Sequence, residues 1–210
     1  MLTFNDHSKL EGMHSFLSAS KHTWLRYDDQ HLIDMWRSSM MSQRGTELHA
    51  LAASLNKHRV PLPRTHTTLN DFVNDGLAYR MSPEVVLYFS PNCFGTADLI
   101  CFDEKHRLLR IFDLKTGFGE IKHFDQVKIY AAMFCLEYNI DPRSIQYDLR
   151  LYQNDQIKIC TDADAKFIKL KPNADILEEL DKEEIVAIME TIQHFDELIN
   201  QARNEDLQRW

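Results

Sequence analysis

Thr96-Ala97-Asp98-Leu99-Ile100-Cys101-Phe102 and Leu108-Leu109-Arg110-Ile111-Phe112-Asp113-Leu114-Lys115 are two apolar runs of strand length. The polar turn Asp103-Glu104-Lys105-His106 lies between them. β-branched and aromatic content predicts two strands, and the short connection predicts antiparallel neighbours. Each run is interrupted by a carboxylate, Asp98 in the first and Asp113 in the second. Lys115 follows Asp113 by two positions, so the pair shares one face of its strand. An isolated Asp-x-Lys triplet is also what an ordinary edge-strand ion pair looks like. The apolar flanks argue for more, because unpaired charge inside a sheet is costly.

Working outward, Val85-Val86-Leu87-Tyr88-Phe89 is a third β-rich run, and Pro91-Asn92 marks the turn after it. The three runs together predict an antiparallel meander. A helix is expected over about 121–138, followed by a hairpin of 145–152 and 156–160 around Asn154-Asp155. The first 80 residues read as helical with breaks. A Ser-capped start is expected at Ser18-Ala19-Ser20, an amphipathic helix over 29–42, a new helical piece opened by Gly45, and a short helix over 69–80. Pro61-Leu62-Pro63 ends the second piece. After Pro172, Ile185, Ile188, Met189, Ile192, Phe195 and Ile199 recur at helical spacing, so 173–210 is expected to be a helical tail. The order predicts an α/β fold, with a mixed β-sheet flanked by helices, a helical N-terminal region and a C-terminal helix.

Composition supports a real core: 44% of the 210 residues are apolar. No run approaches the roughly 18 apolar residues of a membrane span, and no export signal is visible at the N-terminus. The expected setting is therefore cytoplasmic, with no membrane partner. The formal net charge is −8, which at first sight opposes a nucleic-acid partner. The charge is not evenly spread. Residues 173–210 hold 3 Lys+Arg against 11 Asp+Glu, whereas residues 1–172 are balanced at 21 of each. The acidic excess belongs to the tail, which points to a segment kept off DNA, covering the back of the fold or meeting a protein partner or a second copy. Cys93, Cys101, Cys135 and Cys160 form no CxxC pair or close cluster, so reduced, mostly buried thiols are expected.

Two carboxylates and a lysine on one sheet face suit a hard divalent cation, since Mg2+ and Mn2+ take oxygen ligands. Such a cation acidifies a water and neutralises phosphate charge. The neighbouring lysine can hold or activate that water.

The surrounding residues carry a resemblance. Arg44-Gly45-Thr46-Glu47-Leu48-His49, Gly95-Thr96-Ala97-Asp98, Asp113-Leu114-Lys115-Thr116-Gly117 and Gln126-Val127-Lys128-Ile129-Tyr130 occur in that order. They resemble the GxxxH, GxxD, (D/E)xK and QxxxY elements of the RecB-like PD-(D/E)xK nucleases, and Leu17-Ser18-Ala19-Ser20 resembles the entry segment of those proteins. The likeness spans about residues 16–160. It implies a restriction-endonuclease-like core, with residues 1–172 as the nuclease domain: helical over 1–80, catalytic sheet over 81–172. It implies that His49, Asp98, Asp113 and the Leu114 carbonyl hold Mg2+ or Mn2+, and that Lys115 positions the attacking water. Gln126 and Tyr130, four apart on a helix, would brace the site. Lys122, Lys128, Arg44 and Tyr130 would contact DNA. Glu84 would be an outer-shell carboxylate or a solvated strand start.

The departures from that family matter too. Tyr27-Asp28-Asp29 stands where iron–sulfur relatives carry their first cysteine, and no Cys follows Cys160. No iron–sulfur cluster is expected. No GxxxxGK[ST] loop is present, so no ATP-driven motor is expected either. Lys21, Arg26, Arg37, Lys57, Arg59 and Arg64 are further candidates for tracking phosphates, and Trp24, Trp36 and Tyr79 for stacking on bases. The function implied is that of a DNA nuclease, an exonuclease by family habit. It would work in recombination, repair or DNA processing, with a phage or mobile element as its expected source. A catalytically silent nuclease fold that binds nucleic acid or protein is the alternative, and a metal-dependent hydrolase of another substrate a third reading.

Overall fold

Ser82–Ser90 (β1), Cys93–Asp103 (β2) and Leu108–Leu114 (β3) form the expected meander in the computed structural model. The structure describes residues 15–17, 19–117, 123–162 and 168–207. Ser18 and Lys122 lie outside the described residues, as do the side chains of Ala19, Ser20 and Lys21. Two compact units divide the chain, residues 1–46 and 47–210.

The first unit holds a 3₁₀ helix, Ala19–Arg26, and the start of helix α1, Asp29–Lys57. The Ser-capped segment is thus 3₁₀ rather than α-helical. The break expected at Gly45 is also absent, since α1 runs through it. One glycine in a helix interior costs only about 1 kcal/mol, which the long flanking helix absorbs. Phe16, Trp24, Tyr27 and Met35 line a hollow within this unit with Ser38, Ser39 and Ser42.

The second unit is an α/β layer structure. Its six strands lie in sequence order, β1 to β6, with Gln146–Gln153 as β4, Gln156–Thr161 as β5 and Ala174–Glu179 as β6. β3 pairs with β4 in parallel and β5 with β6 in parallel, while the other pairs are antiparallel. The sheet is therefore mixed. β3 is buried at every residue, as a parallel-paired central strand covered on both faces must be. Helix α3, Asp125–Glu137, covers one face through Val127, Ala131, Ala132 and Phe134, against Leu109, Ile111, Leu149 and Cys160. On the other face, Ala52 of α1 and Phe72 and Val73 of helix α2, Thr68–Ala78, pack with Leu99, Phe112, Leu114, Tyr152 and Ile159.

The acidic tail is only partly helical. Residues 174–179, expected in a helix, form β6 because Ala174-Asp175-Ile176 pairs along Ile157-Lys158-Ile159. Helix α4 begins at Lys182 and lays Ile185, Ile188, Met189 and Ile192 on the α3 core. Four carboxylates of the tail find partners in the body. Glu178 and Glu184 accept from Lys128, Glu183 from Arg143, and Asp196 from Ser90 and Asn92. No described helix is long and apolar enough to cross a membrane.

Candidate active site

β2 and β3 align so that Leu99 faces Phe112. One step further along each strand stand Asp98 and Asp113, at the end of β3. Asp113 is 2% exposed, and Lys115 Nζ ion-pairs with its Oδ2 at 2.8 Å. That contact lies outside hydrogen-bond geometry, so the buried Oδ2 accepts no hydrogen bond. Lys115 Nζ also donates to Gln126 Oε1, and Gln126 Nε2 approaches Tyr130 OH at 3.3 Å. The four-residue spacing on α3 puts both side chains on one helical face. Tyr130 reaches β2 as well: a Cβ added at Gly95 would lie 3.0 Å from its Cε1. Gly95 is what lets the ring approach.

Asp98 is held from two sides. His49 Nδ1 stands 3.1 Å from its Oδ2, and the Leu114 amide donates to the same oxygen at 2.9 Å. The backbone of Lys115 is fixed in turn by its N–H to the Tyr152 carbonyl, 2.9 Å away on β4. His49, Asp98, Asp113, Leu114, Lys115, Gln126 and Tyr130 are thus joined by one chain of contacts, although they come from four separate stretches of sequence. Glu84 on β1 belongs to the same field. Its charge is felt by His49, and Asp98 and His49 act on it.

The electrostatics report a surplus of negative charge. Burial, reinforced by Asp98, pushes the Asp113 carboxyl above its ordinary value against the pull of Lys115 and His49. Burial and then Asp98 push Glu84 the same way, opposed by His49. The hydrogen bond to Asp98 outweighs desolvation and raises the His49 imidazole. Like charges disfavour the ionised carboxylate, and opposite charges favour the imidazolium.

In kind, the donors suit a hard divalent cation. They comprise the His49 imidazole and the carboxylates of Asp98 and Asp113, the latter with its buried Oδ2 against Lys115 Nζ. As the side chains lie, among the described residues no three His, Cys, Asp or Glu converge as a ready cation cage. Lys115 and His49 stand against the carboxylates instead.

No family model, curated protein or solved structure matches this chain.

Other expectations meet a different environment. Lys128, expected to contact DNA, is 7% exposed and faces the opposite way, donating to Glu178 and Glu184. Burial would lower its pKa, but those two hydrogen bonds hold it above the ordinary value. The motif helix buries Lys128 because position 128 is two residues from Gln126, on a different helical face. Arg44 is exposed on α1, within the first unit. Tyr79, considered for base stacking, lies under the Arg110 guanidinium, 4.5 Å from its ring centre, and meets Phe112 edge-on. Trp36 is exposed, whereas Trp24 lines the hollow of the first unit.

A buried ionic network lies beneath α2 and was not anticipated. Arg150, fully buried, makes a two-pronged pair with Asp148 at 2.7 and 2.9 Å. Tyr152 donates to Asp75, and Lys171 bridges Asp71 and Asp75 at 2.7 Å each. The alternation Asp148-Leu149-Arg150 inside an apolar strand was the available signal, since polar residues two apart share a strand face.

Proposed function

We propose that this chain is a Mg2+- or Mn2+-dependent deoxyribonuclease of the RecB-like PD-(D/E)xK type, with a restriction-endonuclease-like core, that hydrolyses phosphodiester bonds. The observation that carries this reading is the single contact chain from His49 through Asp98, Asp113 and Lys115 to Gln126 and Tyr130. Six polar side chains in one order along the sequence are hard to bring together for packing alone.

His49, Asp98 and Asp113 would hold the cation, which supplies charge neutralisation at the phosphate and a more acidic water. Lys115 Nζ orients the attacking water while Gln126 Oε1 fixes the amine. Hydrolysis forms a bond from the water oxygen to phosphorus as the bond from phosphorus to the leaving nucleoside oxygen breaks. Tyr130, backed by Gly95, braces Gln126 and borders the strand. We favour an exonuclease acting on DNA ends in recombination, repair or DNA processing.

Labelled linear and circular DNA, single- and double-stranded, incubated with Mn2+ tests this reading. Wild type should cleave, and Lys115→Ala and Asp113→Ala should lower the rate by about 10²–10⁴. Loss of linear DNA alone would identify an exonuclease. Equal cleavage by wild type and both variants would remove the assigned site.

One observation favours a second reading, a nucleic-acid- or protein-binding module without catalysis. Asp98 and Asp113 are engaged by His49 and Lys115 rather than poised around a cation position. Failure of wild type to cleave any DNA or RNA, with binding retained, would support it.

A further inference from the structure

We propose that Tyr88 and Phe94 form a stacking step for an unpaired base of the DNA strand whose phosphate lies at the Asp98 site. The inference rests on the nuclease reading above and adds to it a base-binding surface outside the four matched motif segments.

Register and alternation put the two rings on the face that carries Asp98. Val85 pairs with Ala97 and Leu87 with Gly95. These four turn toward α3: Leu87 and Ala97 lie in its core, Val85 packs against it, and Gly95 lies under Tyr130. Successive side chains on a strand point to opposite faces. Val86, Tyr88, Phe94, Thr96 and Asp98 therefore turn the other way, to the side from which α1 brings His49. Val86 pairs with Thr96 and Tyr88 with Phe94, so the face runs from Asp98 through Val86 and Thr96 to the two rings. From Asp98 to Phe94 is about 13 Å at roughly 3.3 Å per strand residue. That is about four nucleotides at the stacked rise of roughly 3.4 Å.

Exposure decides what the rings are for. Phe94 is 63% exposed, Val86 56% and Tyr88 47%, so these side chains contribute little to a core. The ring centroids lie 6.4 Å apart with the planes inclined by 26°, and two nearly parallel rings present flat apolar faces to solvent. Contiguous exposed apolar groups of this kind mark interaction surfaces. Every base has a π-face, so stacking on an aromatic side chain binds a strand without reading its sequence. A partner's β-strand is a poorer occupant. β1 is an edge strand, but the Tyr88 amide donates to Glu137 Oε2 at 2.8 Å, and the register shifts between Tyr88 and Ser90. A covered amide and a bulge both blunt an edge against pairing, while the ring faces stay open.

Fluorescence anisotropy with the full chain tests the assignment, using a labelled dT strand and an abasic strand of the same length in Ca2+. Cleavage is read separately in Mn2+. Wild type should bind the dT strand about tenfold or more tighter than the abasic strand. Tyr88→Leu combined with Phe94→Leu should bring dT binding down to the abasic level and leave abasic binding unchanged. Phe94→Leu alone, at a position mostly open to solvent, guards against misfolding of the double variant. It should lower the ratio of dT to abasic affinity several-fold at a wild-type melting temperature, and an unchanged ratio overturns the proposal. Equal binding of the two strands by wild type also overturns it, while Mn2+-dependent cleavage in that case keeps the nuclease reading. Base-dependent binding that the variants lose, with no cleavage by wild type, keeps the stacking step and removes the nuclease. A wild-type dimer that the double variant turns into a monomer by light scattering, with DNA binding intact, assigns the face to a second copy of the chain and overturns the proposal.

Discussion

Gly95 shows how one missing methyl shapes the candidate site. An added Cβ would meet Tyr130 Cε1 at 3.0 Å, closer than most real contacts, so the ring must yield. Gly95→Ala is expected to fold while loosening the Gln126–Tyr130 contact of 3.3 Å. Cleavage should fall several-fold with a melting temperature near that of wild type, read by parallel kinetics and melting curves. Asp71 carries a different prediction. Burial would raise its carboxyl, but hydrogen bonds from Lys171 and Asn173 hold it below its ordinary value. A lowered folded pKa adds stability above the unfolded value near pH 4, and that stability fades as pH falls through the folded value. Asp71→Asn should therefore cost about 2 kcal/mol near pH 7, with the gap to wild type closing below about pH 4. Urea unfolding across pH 3–7 would show it, and a gap independent of pH would mean that the charge is irrelevant. The thiols are a third case. Burial pushes Cys135 up to about 11 and Cys160 up to about 12, so neither should react with a thiol reagent at pH 7 until the chain unfolds.

Helix α3 divides its labour by face. Gln126 and Tyr130 turn to the site, Val127 and Ala131 to the core, and Lys128 to the tail. Lys128 joins β6 and α4 to α3 through Glu178 and Glu184. Removing the amine leaves two carboxylates facing each other. Lys128→Met should cost about 2 kcal/mol, less than a fully buried pair because Glu184 is half exposed. DNA affinity should be unchanged. A variant of normal stability with weakened DNA binding would restore the phosphate-contact role expected from the sequence.

At the scale of the molecule, the acidic tail is an integral part of the second unit. β6 completes the sheet beside β5, and Leu180 and Ile185 are buried in the α3 core. Each such side chain adds about 1.5–3 kcal/mol on burial, a large share of a typical domain stability of 5–15 kcal/mol. A chain ending at Asn173 should be insoluble or lack a cooperative melting transition. A soluble, cooperatively folding product with unchanged DNA binding would make the tail dispensable.

Local chemistry made much of this legible. Apolar runs broken by turns located β1 to β5, because strand burial imprints its period on the residues themselves. Asp98, Asp113 and Lys115 stood out because charge inside such runs demands a partner. β6 could not be read this way, since Ala174-Asp175-Ile176-Leu177-Glu178-Glu179 becomes a strand only by pairing with β5, a contact absent from its own composition. Nor could the direction of Lys128, which depends on carboxylates 50 and 56 residues later in the chain. The sequence by itself determined which residues could do chemistry and which segments had to be buried. The tertiary structure decided which of them meet, because register, helix facing and charge pairing are properties of two segments at once.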